Sequence, residues 1–443
     1  MAHPVRFIPI LVLLAICLTR GTEGKYRKYA KHVLLVSMDG FRWDYIDKAK
    51  TPNFDRLECY GVRSKYVTNV YPTNTFPSHY TAITGLHAES HGIVGNYMYD
   101  PDFDEIFTIG THDTKWWDGG EPAWITARKQ GLTSGTMFWP GSEVEIQGLR
   151  PNRWYYYNES ITYDQRLDIV IDMLKVDKLD FVTLYFHQPD FQGHVSGPSS
   201  QGLIDKVEEM DEYIGKLLHK LVVNGLKDDV NLLIMSDHGM TDIDHDNKLV
   251  EIWDLVDRSL IERTVDTGAL MHVVPVSGQE QAVIDAINSH PHFTAYRKAD
   301  IPNRLHYKNN RRIMPIFVMA DEGWTITFDR DFTRRYTKKG GHGFDNRLMS
   351  MKSIFYAIGP NFKPNYAAPP FKSVDLYPLI CELLGIRPAP NNGSLCNTAD
   401  FLKPYRNYND KFYNYGLLNL LRFYSMQQTR HRKKDGKLTY DLY

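Results

Sequence analysis

The stretch His32-Val33-Leu34-Leu35-Val36-Ser37 is a continuous apolar run of strand length that ends abruptly in Asp39-Gly40. Phe181 to Phe186 (FVTLYF) repeats the design and runs into Pro189-Asp190, and Val230 to Met235 (VNLLIM) runs into Asp237-His238-Gly239. Runs of this length without alternation read as strands buried on both faces, which requires helices on either side. The reading is an α/β fold whose central, mostly parallel sheet is sandwiched by helices. One helix is plain: Leu203, Val207, Met210, Ile214, Leu217 and Leu221 recur at helical spacing until Gly225. Leu270 to Val274, Ile316 to Met319 and Ser353 to Ile358 are weaker strand candidates. The segment from about Asp246 to Asp331 is less regular and reads as an insertion or cap over the sheet. No repeat, low-complexity linker or composition shift divides the chain, so residues 25–403 read as one domain.

A second stretch, Tyr71-Pro72-Thr73-Asn74-Thr75-Phe76-Pro77-Ser78-His79-Tyr80, places a hydroxyl just ahead of a helix. Pro77 is tolerated in a first helical turn, where an N–H is unpaired anyway. Residues Tyr80 to Thr84 then read as a short helix closed by Gly85. A helix N-terminus offers free N–H groups and a positive dipole end, where a phosphate is comfortable. Alone, a threonine before a proline is more often an N-cap.

Length and composition narrow the class. The 443 residues can bury a large core, and 52 lysines and arginines against 53 acids give no bulk charge for nucleic-acid binding. Phe7 to Leu18 is apolar, follows Arg6 and precedes the small-residue stretch Gly21 to Gly24. It is too short to span a bilayer and has the shape of a secretory signal, residues 1–24. The expectation is a soluble, secreted extracellular protein with a polar, basic C-terminal tail at 404–443, including His431-Arg432-Lys433-Lys434. In that setting Asn158-Glu159-Ser160 and Asn392-Gly393-Ser394 are glycosylation acceptors. Cys17 leaves with the signal. Cys381 and Cys396 are close enough in sequence to pair, which would leave Cys59 a free, buried thiol.

The polar residues at the strand ends are of one kind: Asp39, Asp190, His194, Asp237 and His238, with His342 in the glycine-rich loop Gly340 to Asn346. Mixed carboxylate and imidazole ligands suit zinc, whereas an all-oxygen set would suit magnesium or calcium. This set with Thr75 is large enough for two ions, and two ions about 3.5–4 Å apart clamp both oxygens of an in-line phosphoryl displacement. A single Asp at a strand end is usually a turn or cap residue. Independent caps have no reason to supply a whole ligand set at one edge.

These residues resemble the ectonucleotide pyrophosphatase/phosphodiesterase family of the alkaline phosphatase superfamily, in its short, single-domain form. The resemblance rests on Ser37-Met38-Asp39-Gly40-Phe41-Arg42, Thr75-Phe76-Pro77, Thr84-Gly85-Leu86, Glu89-Ser90-His91-Gly92-Ile93, Asn96, Pro189-Asp190, Gly193-His194, Ser236 to Met240 and His342-Gly343. It covers roughly Lys31 to Leu402. It implies one zinc held by Asp190, His194 and His342, and a second by Asp39, Asp237, His238 and the Thr75 oxygen. It implies Thr75 as nucleophile, forming a threonyl-phosphoryl intermediate. Asn96 and the Phe76 N–H would hold the non-bridging phosphate oxygens. His79, His91 and His187 stand outside that set; His79 and His91 read as buried, hydrogen-bonded structure. The chain departs from the family at Ser78, where asparagine is usual, and at His187-Gln188, where acids are common. The Cys-x-Pro-x-Arg pattern of sulfatases is absent.

The resemblance implies a small phosphodiester as substrate, and two kinds compete. Nucleotide-preferring relatives stack the base between an aromatic after the nucleophile, here Phe76, and a tyrosine from a later loop, here Tyr157. A choline-phospholipid hydrolase would build a cation–π cage from Trp139, Tyr156 and Tyr157, with Glu143 or Glu145 nearby; membrane contact is expected only in that case. Phe76 favours nucleotides. A binding protein that has lost catalysis is disfavoured because every ligand is present, and a phosphomonoesterase because a wide aromatic pocket suits a diester's second substituent.

Overall fold

Strand β1 (His32–Met38) is the centre of a nine-stranded sheet in the computed structural model, which describes residues 30–335 and 338–404. The expected signal segment, residues 1–24, and the tail beyond Pro404, with its basic cluster, lie outside the described residues. The other principal strands are β2 (Val62–Thr68), β3 (Ser134–Met137), β4 (Phe181–Phe186), β5 (Val230–Met235) and, far along the chain, β6 (Ser353–Ile358). Across the sheet they lie in the order β2, β6, β5, β1, β4, β3. β1 pairs in parallel with β4 and β5, and β3 with β4. β6 is antiparallel to both neighbours, so the mostly parallel sheet carries one reversed strand inside it.

Every residue of β1 is buried. Val33 and Leu35 enter one core layer while Leu34, Val36 and Met38 enter the other. This is the physical reason for an apolar run without alternation. Helices α1 (Pro52–Tyr60), α2 (Thr75–Thr84), α3 (Tyr163–Lys175), α4 (Asp190–Ser196), α5 (Gln201–Val223) and α6 (Leu376–Leu384) complete the frame. Phe54 of α1, Leu167 of α3 and Leu203 of α5 fill one layer; Tyr80 of α2 and Leu379 of α6 fill the other. α5 starts where Ser200 accepts a hydrogen bond from the Leu203 N–H, satisfying one orphan donor.

Three expectations need correcting. α2 begins at Thr75, not Tyr80, because Pro77 lies within the first turn, and Gly85 closes it at φ 68°. The segment beyond Asp246 is more regular than its sequence suggests. Ile261–Val265, Leu270–Pro275, Ile316–Ala320 and Phe293–Arg297 form a four-stranded antiparallel sheet, backed by helix Glu280–Asn288. Met271, Val273 and Val318 face a core of its own, whereas Leu270 and Phe317 join the main core. Its two outer strands, Ile261–Val265 and Phe293–Arg297, are short and partly exposed, so their periodicity is faint. Finally, Cys59, Cys381 and Cys396 are all free thiols. Cys381 points into the core from α6, and burial raises its pKa to about 12, whereas Cys396 is exposed. Cys59 is exposed rather than buried, since α1 turns Phe54 and Leu57 inward instead. Among the described residues no helix is long and apolar enough to cross a membrane.

Candidate active site

The ends of β1, β4 and β5 are tied together by backbone. The Asp190 N–H donates to the Asp39 carbonyl at 2.9 Å, and the Gly40 N–H to Asp237 Oδ1 at 3.0 Å. Gly40 is needed there: its φ is +65°, and a Cβ would lie 2.7 Å from the Asp190 Cα. A short pairing of Gly340–Gly341 with Thr241–Asp242 carries His342 to the same edge.

Asp190, His194 and His342 converge, each able to bring one ligand atom within 4.8 Å of the others. His194 Nδ1 is 2.7 Å from the Gly340 carbonyl and His342 Nδ1 is 3.0 Å from the Thr73 carbonyl. A carbonyl only accepts, so these nitrogens carry the protons and both Nε2 lone pairs turn inward. His194 Nε2 lies 3.3 Å from Asp190 Oδ2, and His342 Nε2 3.6 Å from Asp190 Oδ1. Hydrogen-bonding one ring nitrogen to orient the other is how ligating histidines are held.

Asp39, Asp237 and His238 form a second group, fully buried. His238 Nδ1 is 2.9 Å from the Gly239 carbonyl, which leaves Nε2 as a lone pair 3.1 Å from Asp237 Oδ2 and 3.4 Å from Asp39 Oδ1. Thr75 Oγ1 is 3.3 Å from the same Nε2. Each of these two carboxylates spends one oxygen on the protein. Tyr185 OH donates to Asp39 Oδ2 at 2.6 Å, and Gly40 N–H to Asp237 Oδ1. The other oxygens, Asp39 Oδ1 and Asp237 Oδ2, are buried without a hydrogen-bond partner, as is Asp190 Oδ1. Buried carboxylate oxygens left bare face to face are costly unless a cation compensates them.

The electrostatics agree. Burial, then the Asp237 and Asp190 charges, pushes the Asp39 carboxyl well above its ordinary range. Burial would raise Asp190 too, but His194 and then His342 outweigh it and carry it low. Burial, then His238, lowers His342 and keeps its lone pair free. The rings of His238 and His342 stack at 3.6 Å. The donor set therefore fits two metal ions at adjoining positions.

Thr75 opens α2, and the N–H of Phe76 donates to Asn96 Oδ1 at 2.9 Å. The Phe76 N–H, expected as a phosphate donor, is thus engaged by Asn96, which itself lines the cleft beside Thr75. His79 is buried behind them: Nδ1 is 2.8 Å from the Thr75 carbonyl and Nε2 2.8 Å from Ser37 Oγ. His91 is buried as well, bonded to Thr81 Oγ1. Both act as structure, as their sequence context suggests. Ser78 is buried in α2 and does not line the site.

A cleft of about 520 Å3 opens from Thr75, with Phe76, Asn96, Trp139, Tyr156 and Tyr157 among its walls. Phe76 leans on Phe107 and Trp117 from one wall, and Tyr157 on Phe138 from the other. Trp139 is only 2% exposed, and its Nε1 donates to the His79 carbonyl, so it supports more than it offers. Tyr156 is 59% exposed and Tyr157 44%. Sequence reasoning missed what holds them. Glu143 Oε1 accepts from the Tyr157 N–H at 2.6 Å and its Oε2 lies 3.0 Å from His112 Nε2. Tyr185 was missed too, though its place near the end of an apolar strand was a signal. His187, set aside at first, also lines the cleft, with Nδ1 3.3 Å from Tyr157 OH. Asn158 and Asn392 are both exposed.

A family model described as type I phosphodiesterase / nucleotide pyrophosphatase matches residues 33–345. Human ectonucleotide pyrophosphatase/phosphodiesterase family member 5 is 39% identical over 404 residues, 90% of this chain and 83% of that one. Bis(5'-adenosyl)-triphosphatase enpp4 of Xenopus laevis is 38% identical over 400 residues, 90% of this chain and 87% of that one. A solved structure of inactive murine ectonucleotide pyrophosphatase / phosphodiesterase 5 in complex with AMP superposes with a TM-score of 0.81 at 38% identity, covering 84% of this chain and 100% of that one. The human counterpart gives 0.81 at 40% identity, with the same coverage. Alkaline-phosphatase-like in fold, and with its metal-type side chains gathered at one sheet edge, the chain belongs to the type I phosphodiesterase / nucleotide pyrophosphatase family of hydrolases.

Proposed function

We propose that this protein is a secreted, two-zinc enzyme that cleaves phosphodiester or pyrophosphate bonds of extracellular nucleotides through Thr75. The observation that carries the reading is the meeting of bare ligand atoms around Thr75 Oγ1 with an aromatic cleft on its other side. Asp190, His194 and His342 would hold one ion, and Asp39, Asp237, His238 and Thr75 Oγ1 the other. The mixed oxygen and nitrogen donors suit zinc. Bound there, the metals would lower the pKa of the threonine hydroxyl and neutralise developing phosphate charge. The chain supplies the rest. α2 presents Thr75 at its positive end; the Asn96 amide, held through its Oδ1 by the Phe76 N–H, would hold a non-bridging oxygen; the aromatic walls seat a base. A Thr75 Oγ–P bond forms as the bond to the leaving group breaks, and water then cleaves the threonyl ester to release the nucleoside monophosphate.

The names of the relatives are those of nucleotide enzymes, and one solved relative binds AMP. The choline alternative finds less support, because both oxygens of Glu143 are occupied by Tyr157 and His112. The test is kcat/KM for a p-nitrophenyl nucleoside phosphate and p-nitrophenylphosphorylcholine on one preparation. The nucleotide ester should be preferred. A preference of about a hundredfold for the choline ester would overturn the nucleotide reading and leave the metal chemistry intact. Secretion rests on the Phe7 to Leu18 run; recovery of the chain in a membrane fraction after a high-salt wash would contradict it.

A further inference from the structure

Beside Thr68 to Tyr71, in the segment that leads towards Thr75, lies a separate, small cavity of about 140 Å3. Its walls carry Arg304, Arg347, Lys372, His87 and His306, and no carboxylate lines it. The two imidazoles stack face to face, with centroids 4.0 Å apart and planes within 10°. The nearest acids are already engaged. Asp345 receives both terminal nitrogens of Arg304 at 2.8 and 2.6 Å. Glu89 accepts the N–H groups of Lys308 and Asn309, and Asp375 those of Lys372 and Ser394. Among the described residues, Arg347 and Lys372 form no ion pair.

A concave site lined by one sign of charge focuses its potential and gathers counter-ions. Burial above all, then His306 and Lys372, against Glu89, hold the His87 pKa down at about 4. We propose that this cavity is an anion site, separate from the hydrolytic centre, that takes a single tetrahedral oxyanion such as phosphate or sulfate. Arg347 and Lys372 supply the charge, and Arg304, kept in place by Asp345, supplies a wall that cannot move away. The volume is too small for a nucleoside, so a nucleotide does not enter by its base.

The test titrates inorganic phosphate into the zinc-loaded enzyme with the hydrolytic cleft saturated by AMP. One phosphate per chain should bind, sulfate should compete for it, and the double variant Arg347→Ala/Lys372→Ala should bind it at least tenfold more weakly. Both side chains are exposed, so the variant should keep its melting temperature and its kcat/KM for the nucleotide ester. The variant Arg347→Lys/Lys372→Arg, which preserves charge, should retain binding. Absence of phosphate binding to the AMP-saturated enzyme, or equal affinity in the wild type and the alanine variant, overturns the site.

Discussion

The metal-type edge and the aromatic cleft meet at Thr75 but are built in opposite ways. At the edge, Asp39, Asp237 and His238 are buried, stand at strand ends and are held by backbone and by Tyr185. In the cleft, Tyr156 and Tyr157 stand half-exposed on a loop, and Glu143 fixes that loop by a single hydrogen bond to Tyr157. The difference teaches where each property resides. Chemistry that needs several ligand atoms held to within a fraction of an ångström is placed on the sheet. Discrimination among substituents is left to loops.

The sharpest separation of the two regions comes from removing the metals. About two zinc ions per chain should be found by elemental analysis. Chelation should abolish turnover, and added zinc should restore it. No zinc in active, purified protein would sink the metal assignment.

A stability test addresses the frame that both regions share. Asp100 is buried and receives Arg311 and Arg312; Arg312, buried too, also donates to the carbonyls of Gly92 and Trp116. This clamp ties the base of the second sheet to the segment that carries Asn96. Asp100→Asn leaves a buried guanidinium without its counter-charge and should cost about 3–5 kcal/mol. Burial would raise the Asp100 carboxyl, but Arg311 and Arg312 outweigh it and hold it at about 2, below its ordinary value. Its contribution is therefore complete above about pH 5 and is lost progressively as the pH falls through 4 to 2 and below. Thermal denaturation at a series of pH values should show the Asn variant losing less stability than wild type over that window. Equal slopes would remove the clamp from the account.

The smallest effect belongs to the cleft. Base stacking is worth about 1–3 kcal/mol per base, so Tyr157→Ala should raise KM for nucleotides roughly tenfold while kcat holds. A fall in kcat with KM unchanged would mean that Tyr157 serves the reacting centre, and the contrast between edge and cleft would fail.

Much of the edge was legible in the sequence because its signals are local. β1, β4 and β5 are apolar runs that stop at acids, and all six Asp and His residues read as ligands fall into the two groups. What was not legible depends on partners far away in the chain. Tyr185 reaches Asp39 across 146 residues, and the carbonyls that orient His194 and His342 come from Gly340 and Thr73. Glu143 looked like a possible counter-charge, and only the fold shows it bonded to Tyr157 and close to His112. Of the second sheet, Leu270 to Val274 and Ile316 to Met319 were legible as strands, whereas Ile261–Val265 and Phe293–Arg297, short and partly exposed, were not. α2 starts five residues earlier than the Tyr80 read from the sequence, since the turn that holds Pro77 already begins at Thr75.

The central claim is that Thr75 is the nucleophile, and the direct measurement is turnover by zinc-loaded Thr75→Ala. Thr75 is the first residue of α2, after the N-cap Asn74, and among the described residues its hydroxyl approaches His238 alone, at 3.3 Å, so its loss should cost no more than about 1 kcal/mol of stability. The account predicts a folded protein that keeps its metals and binds nucleotide but has no measurable turnover. A folded, zinc-loaded Thr75→Ala enzyme working at the wild-type rate would contradict it.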